Sequence, residues 1–540
     1  MSMFSTGLSG LNAAQNALSA TSNNISNLFT PGYNRELPKL SEAGVGGGVR
    51  VDTIERQFNT YVANQLNNAK TQSSALETYN NQIAQIDNLL ADREAGLSPL
   101  IQDFFSSLDA LASSPSDPAA RQGVLGAADT LSAQFRSFDG YLQDMQNNVN
   151  SQIRDEVTQI NNTLGQIADF NREISLARAR TGEAPNGLLN QRDQLVSELN
   201  ERMDLRLNVQ DGKTYNVSLP NGQPLVTGTS SFKLEAVQAD NDPQRTVVGY
   251  RDGGNNLIKL DESTIKGGSL GGLMSFRAET LDKTQNQIGQ LAVSLSVAFN
   301  EQHKQGIDLN GEDGQDFFNI GQPQAYSYPN NGAEVTSIAF DVEAIDELRA
   351  TDYTVRFGES GEPSVTRKDN GQAVDVSEGW DSATNTLAFG GVRMEFSAQP
   401  ANGDRFDVQP VRRAGAGMET AFNDLDKIAA GEEAATGDNR NARKLQDLQG
   451  ENIVGGRASL SGAYGALVSD VGNRTNITQV NLEARQGLTE QLRAVQQSES
   501  GVNLDEEAAN LIRYQQYYAA NARVIDTAGS LLDTILNLRS

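Results

Sequence analysis

The sequence predicts a mainly α-helical protein with β insertions, built as a nested, multidomain rod. Three observations predict this fold class. Apolar residues recur at intervals of three and four over long stretches, the pattern of helices that pack along one face. Two internal segments change to a period of two, which is typical of strands. The two ends of the chain mirror each other, so we expect them to pair.

The first predicted element is an amphipathic helix over residues 3–28, which Pro31 and Gly32 end. One stripe holds its large apolar residues, with small alanines on the same side: Phe4, Leu8, Leu11, Leu18 and Ile25. No charged side chain precedes Arg35, so no charged face holds this helix in water. A helix of this kind is marginal alone and needs a partner.

Residues 59–203 continue as helices. Ser98 and Pro99 are typical of a helix cap and a first helical position. The stretch 118–179 keeps its apolar rhythm with one stutter, and it would span roughly 90 Å at a rise of about 1.5 Å per residue. A helix of that length predicts a rod rather than a compact fold.

Two segments, 204–262 and 320–415, alternate apolar and polar residues as strands do. In the first segment, Asp211-Gly212 predicts a hairpin turn. Residues 269–305, between the two segments, return to the helical period. The sequence leaves open whether the two β segments form one domain or two.

A long helix begins near Leu460, and residues 498–501 interrupt it before a last helix. Asn503 and Glu506 form a variant of the capping box at that start. The last helix carries a heptad of large apolar residues: Leu504, Leu511, Tyr518, Ile525, Leu532 and Leu536. The two terminal helices would bury little area against each other. We therefore expect their apolar stripes to contact neighbouring subunits, with a simple intramolecular hairpin as the alternative.

The simplest architecture is nested. The N- and C-terminal helices pair in a coiled coil, the long helices bundle beneath them, and the β-rich domains lie outside. Four domains are predicted. The terminal polymerisation domain comprises 1–58 and 500–540, and the helix bundle comprises 59–203, 269–318 and 416–499. The β-rich insertion is 204–268, and the outer β-rich domain is 319–415.

Composition excludes several classes of function. The net charge of −26 repels nucleic acid and anionic lipid, so we expect neither nucleic acid nor a membrane as partner. The chain has no cysteine, which removes disulfides and thiolate chemistry. Its single histidine, His303, is a poor basis for a catalytic or metal site. We expect no catalytic residues, no cofactor and no metal.

Two short motifs imitate functional sites. Residues 267–271 match G-x-S-x-G, but a nucleophile elbow needs a histidine partner, and His303 falls on the predicted helix that follows. Residues 308–314 resemble a calcium loop, yet one residue too many precedes the glycine and no glutamate stands at the twelfth position. We interpret both as ordinary helix and turn sequence, and we expect that the protein is not an enzyme.

Both ends of the chain carry motifs that resemble those of one protein family. These motifs comprise Asn23, Asn24, Asn27, Thr30, Pro31, Gly32 and Tyr33 at the start of the chain and Asn521 near its end. The pair resembles the terminal motifs shared by flagellar rod, hook and junction proteins. Leu28 and Phe29 depart from the small or polar residues usual at that point. The long helices favour the junction proteins, because hook protein is mostly β beyond its ends.

The resemblance implies a structural subunit of the bacterial flagellum, secreted by type III export without a cleaved signal peptide. It implies a homo-oligomeric ring or tube, the first ring of the hook–filament junction. The implied partners are hook protein, a second junction protein on the filament side, and an export chaperone at the C-terminal helix. The alternatives are another axial or junction protein, or a secreted adhesive protein that binds through its outer β domains.

Overall fold

The computed structural model describes residues 3–43, 47–92, 96–210 and 214–538. The helices are α1 Met3–Ser26, α2 Thr60–Leu90, α3 Leu97–Ser113, α4 Pro118–Thr181, α5 Asn186–Arg202, α6 Gly268–Phe276, α7 Asp282–Lys304, α8 Arg440–Asp447, α9 Leu460–Ser500 and α10 Leu504–Asn537. The predicted order of helical and β segments is confirmed. The predicted turn at Asp211-Gly212 lies outside the described residues.

The long helix α4 has clear end signals. The side chain of Asp117 accepts a hydrogen bond from the N–H of Ala119, and Pro118 takes the first helical position. Gly182 ends the helix in the left-handed conformation, with φ of 83°. The sequence prediction for α3 was two residues late, since Gly96 is its N-cap and Pro99 lies inside the first turn. Proline is tolerated there because the first helical N–H groups have no partner within the helix.

Within the described ranges, the strands form six antiparallel groups. A hairpin follows α1, two small sheets follow α5, a two-stranded pair links the segments around the outer domain, and two sheets face each other in that domain. In that order they are β1 Glu36–Glu42 and β2 Val49–Arg56; β3 Arg206–Gln210, β4 Thr214–Ser218, β5 Pro224–Thr227 and β6 Ser230–Ser231; β7 Leu234–Ala239, β8 Asp242–Arg251 and β9 Leu257–Lys259; β10 Phe318–Asn319 and β20 Glu419–Thr420; β11 Gln324–Ser327, β19 Arg405–Gln409, β13 Tyr353–Phe357, β14 Pro363–Arg367 and β15 Ala373–Val374; and β12 Val335–Phe340, β18 Val392–Phe396, β17 Thr386–Phe389 and β16 Trp380–Asp381.

Two apolar cores divide the described residues. The larger lies among α2–α9 and also takes in side chains of β4, β5, β7 and β8; we call this part the shaft. The smaller lies between the two facing sheets, here called the outer sandwich. Neither core contains a described residue of α1, β1, β2 or α10, which we call the terminal module. The division of the chain into domains stays a prediction.

Buried charges connect the shaft to the outer sandwich. Arg412, just after β19, pairs with Asp282 at the start of α7 at 2.7 Å and also with Asp352. Asp282 also pairs with Arg245 of β8 at 2.6 Å. A single π-helical turn, Arg277–Leu281, joins α6 to α7 where the sequence predicted one continuous helix. Burial and the nearby Arg245 lower the pKa of Arg277 to about 10.

Candidate assembly surface

The helices α1 and α10 pack antiparallel through small residues. Gly7 lies against Ile525 and Val524 near one end of the pair, and Gly10 lies against Asn521. A Cβ atom added to Gly10 would stand 2.2 Å from the Asn521 side chain, so any larger residue there requires that side chain to move. The buried face of α1 comprises Gly7, Gly10, Ala13, Ala14, Ala17, Ala20, Thr21 and Asn24.

Ile525 of the predicted stripes packs against Gly7, but the buried face of α1 contains none of the large apolar residues. Phe4, Leu8, Leu504, Tyr518, Leu532 and Leu536 are exposed, and Leu11, Leu18, Ile25, Leu511 and Ile525 are half-buried. The expectation that small and large residues share one side of α1 was wrong, because the small residues lie on the neighbouring face, against α10. Close backbone approach selects that face, and the large side chains are left outward. Half of the Phe4 side chain and 59% of Leu536 are accessible.

The side chain of Asn24 fixes the end of the helix pair. It donates hydrogen bonds to the carbonyl of Glu36 at 2.9 Å and to a carboxylate oxygen of Glu507 at 3.1 Å. Its own oxygen accepts from the Tyr33 hydroxyl and from the N–H of Glu36, both at 2.9 Å. Asn24 is 1% exposed, so all four bonds are made away from bulk water. One residue thereby connects α1, β1 and α10.

Arginine and acidic residues surround Asn24. Arg35 contacts Glu507 and Glu506, each at 2.7 Å. Burial, together with the carboxylates of Glu36 and Glu507, raises the pKa of the Tyr33 hydroxyl, which therefore stays protonated and donates. Burial also raises the pKa of Glu36. Only half of the predicted capping box is present: Asn503 accepts from the N–H groups of Asp505 and Glu506, whereas the Glu506 side chain pairs with Arg35.

The remaining motif residues shape the turn after α1. Asn27 donates to the carbonyl of Asn23 at 3.0 Å and accepts from the Thr30 hydroxyl at 3.1 Å. Pro31 is exposed, and Gly32 has φ of +75°, a left-handed conformation that favours glycine. The turn and the hairpin β1–β2 rest on α5 through polar contacts. Examples are Asn34 to Asn190 at 2.8 Å and Arg56 to Asp193 at 2.5 Å.

The two imitation motifs have structural roles. Ser269 is half-buried at the start of α6, with its hydroxyl oxygen inaccessible to solvent. His303 is fully buried, with one ring nitrogen 2.6 Å from the Gln315 carbonyl and the other accepting from the N–H of Ala429. Burial lowers the pKa of His303 to about 4, so it stays neutral. The carboxylate of Asp308 accepts from the N–H groups of Asn310 and Glu312 within a tight turn.

The described residues contain neither a metal-binding cluster nor a membrane-spanning helix. Among them, no group of three or more histidine or acidic side chains is placed to hold a metal ion. No described helix combines the length and the apolar character needed to cross a membrane. The exposed apolar residues of the terminal module therefore stand out as the candidate functional surface, and their chemistry is that of protein–protein contact.

Family models match most of the chain. Residues 83–318 match the model described as flagellar hook-associated protein FlgK helical domain, and 326–410 match flagellar hook-associated protein 1, D2-like domain. At the ends, 4–34 match flagella basal body rod protein, and 496–538 match flagellar basal body rod FlgEFG protein C-terminal.

Curated relatives match over the full length. Flagellar hook-associated protein 1 of Salmonella typhimurium is 42% identical over 555 residues, with both chains completely covered. The chain belongs to the flagellar hook-associated protein 1 family. The member from Escherichia coli is likewise 42% identical, with both chains fully covered. The member from Bacillus subtilis is 23% identical, covering 98% of this chain and 96% of the relative.

A solved structure of the family has the same fold. The flagellar hook junction protein FlgK from Burkholderia pseudomallei superposes with a TM-score of 0.75 at 27% identity, covering 81% of this chain and all of that one. The predicted recognition, fold class and structural function in the flagellar hook junction are thereby confirmed. The relatives of this chain are structural flagellar proteins, and the flagellum is its location.

Proposed function

We propose that this member of the family forms the first ring of the hook–filament junction, and that its terminal module makes the contacts between subunits. The observation that carries the proposal is the exposure of large apolar residues on α1 and α10, outside both apolar cores. Burying such residues stabilises an assembly by about 25 cal/mol per Å² of apolar surface. The contact residues are those of the two predicted stripes, and the motif residues around Asn24 hold the helices that carry them.

We further propose that hook protein and a second junction protein bind on opposite sides of this ring, and that the ring acts without catalysis. An export chaperone would cover α10 before assembly, because that helix is accessible along almost its whole length. Export through the type III apparatus in an unfolded state is favoured by one sequence feature, since the chain has no cysteine to cross-link on the way.

The test variant carries both Leu532→Gln and Leu536→Gln, and the control variant carries Asp533→Asn at an exposed position of the same helix. Each is expressed in a strain that lacks its own copy of the protein. Export is quantified first, from the amount of protein in the medium, because chaperone binding to α10 would alter that amount. Circular dichroism of the purified monomers should be unchanged, since both leucines are exposed. We expect the double variant to be exported but to support at least tenfold fewer attached filaments. A double variant that attaches filaments as well as the control would contradict the proposal.

A further inference from the structure

A cleft of about 1260 Å³ lies between the shaft and the outer sandwich. Its walls include residues of β8 and α7, the loop before β13 and the segment before α9. Of the described side chains that line it, ten are basic and eight are acidic, a local net charge of +2. The whole chain carries −26, so the sign of the charge is reversed here. A concave surface lined by one excess charge concentrates ions of the opposite sign.

Most of the basic side chains in this cleft are neutralised by the chain itself. Seven of the ten pair with a carboxylate. The other three, Arg349, Arg405 and Arg457, form no ion pair within the described part of the chain. Arg405 stacks over the ring of Tyr328 at 4.6 Å instead. The cleft therefore keeps three positive charges without a carboxylate partner.

Arg349 is held in place through only one of its nitrogens. Its Nη1 donates to the carbonyl of Asp346 at 3.0 Å and to the carbonyl of Gly455 at 2.9 Å. These bonds fix the half-buried guanidinium between the outer sandwich and the segment before α9. Its Nε and Nη2 have no hydrogen-bond partner among the described residues. Two adjacent free donors on a fixed guanidinium are suited to bind two oxygens of one anion.

A second uncompensated charge lies near Arg349. Burial and, after it, the charge of Arg457 lower the pKa of Arg349, and Arg367 of β14 acts in the same direction. Arg457 is exposed and belongs to the segment before α9, where Val454 is part of the shaft core. An anion between Arg349 and Arg457 would replace their repulsion with two attractions.

We propose that the cleft binds an anion with two or more charged oxygens, of the phosphate or polycarboxylate class, between Arg349 and Arg457. Seven of its ten basic residues are arginines, whose planar guanidinium groups match paired oxygens of both classes. The anion would join the outer sandwich, where Leu348 is part of the core, to the shaft. The site is separate from the terminal module, and the inference does not depend on the proposed ring.

Isothermal titration calorimetry of the purified full-length chain tests the site. Pyrophosphate and citrate are the probes and acetate is the monovalent comparison, at about 0.15 M salt, where distant charges are screened. We expect at least one probe to bind at least tenfold more tightly than acetate. Arg457→Gln should weaken the binding of that probe at least fivefold. The control Arg485→Gln removes the same charge at an exposed position of α9 and should bind as the parent chain does.

Hydrogen exchange of the parent chain locates the bound probe without any substitution. The probe should slow exchange in residues 348–352 and 454–458 and leave α1 and α10 unchanged. Stronger binding of pyrophosphate would assign the phosphate class, and stronger binding of citrate the polycarboxylate class.

Three outcomes would overturn the inference. Both probes could bind no more tightly than acetate, Arg457→Gln could leave the binding unchanged, or the protected residues could lie outside the cleft. None of these outcomes bears on filament attachment, so the proposed function is tested separately.

Discussion

The shaft and the terminal module are stabilised in different ways. In the shaft, fully buried aromatic rings meet edge to face, as Phe104 does with Phe318, whose ring centroids are 5.7 Å apart. In the terminal module, the buried residues are glycine, alanine and the polar side chains around Asn24, while the large apolar residues point outward. The shaft thus contains its own source of stability. The terminal module has its specific contacts but lacks most of its apolar burial, which neighbours would supply.

The largest expected effect comes from the shaft core. Phe299 is fully buried and contacts Phe104, Phe317 and Phe318. Phe299→Ala should lower the free energy of unfolding of the monomer by about 3–5 kcal/mol. The matched change in the terminal module, Leu8→Ala, should shift it by less than about 0.5 kcal/mol, because that side chain is exposed. Urea titrations of both monomers measure this contrast, and equal losses would contradict the comparison.

The next effect concerns Asn24. Replacing it with alanine leaves the Tyr33 hydroxyl and the Glu36 N–H without their buried partner, while Glu507 loses one hydrogen bond and keeps its pair with Arg35. Each unsatisfied group costs about 1–3 kcal/mol, so hydrogen exchange of α1 and the hairpin should accelerate at least tenfold. Exchange in the shaft should not change. The control is Asn23→Ala, a change at the exposed neighbouring position, and its hydrogen exchange should equal that of the parent chain.

A smaller effect is expected where α1 approaches α10. Gly10→Val would force its side chain into Asn521 and separate the helices, at a cost of about 1–3 kcal/mol. Gly529→Ala, on α10, meets nothing within 4 Å and should stabilise that helix by up to about 1 kcal/mol. Hydrogen exchange of α10 should become faster in Gly10→Val and slower in Gly529→Ala. If Gly10→Val leaves the exchange of α10 unchanged, the contact between small residues does not hold the helix pair together.

The last prediction concerns a pH dependence in the shaft. Burial raises the pKa of Asp139, although Arg413 lies 2.7 Å away, from 3.8 to about 6. The folded state therefore binds this proton more tightly than the unfolded state, so stability from this group is present at low pH and is lost as pH rises from 3.8 to about 6. The thermal midpoint of unfolding should therefore fall over this pH range in the parent chain, and Asp139→Asn should remove that fall. If the midpoint depends on pH in the same way in both chains, Asp139 is not the group responsible.

The sequence predicts the shaft better than the terminal module. The rhythm of α4 and its signals at Asp117, Pro118 and Gly182 predicted both of its ends closely, because a long buried stripe and strong caps agree. In α1 the stripe predicted a helix but the wrong packing face. Periodicity shows which residues share a side, and it does not show whether a partner prefers large residues or close backbone contact.

The polar groups around Asn24 could not be predicted as one cluster. Asn24 and Glu507 lie 483 residues apart in the chain and meet only when α1 and α10 pair. One signal was present, since Arg35 is the first charge of the chain and Asp505, Glu506 and Glu507 open α10. The buried pairs of Arg245, Asp282 and Arg412 are similarly dispersed, and the π-helical turn beside them has no periodicity of its own.

Hydrogen–deuterium exchange of the parent chain, as a monomer and in isolated hook–filament junctions, tests the central claim most directly. That claim is that the shaft is complete in one chain and the terminal module is completed by its neighbours. We expect α3, α4 and α7 to be equally protected in both samples, and α1 and α10 to be weakly protected in the monomer and strongly protected in the junction. Terminal helices as protected in the monomer as in the junction would contradict it.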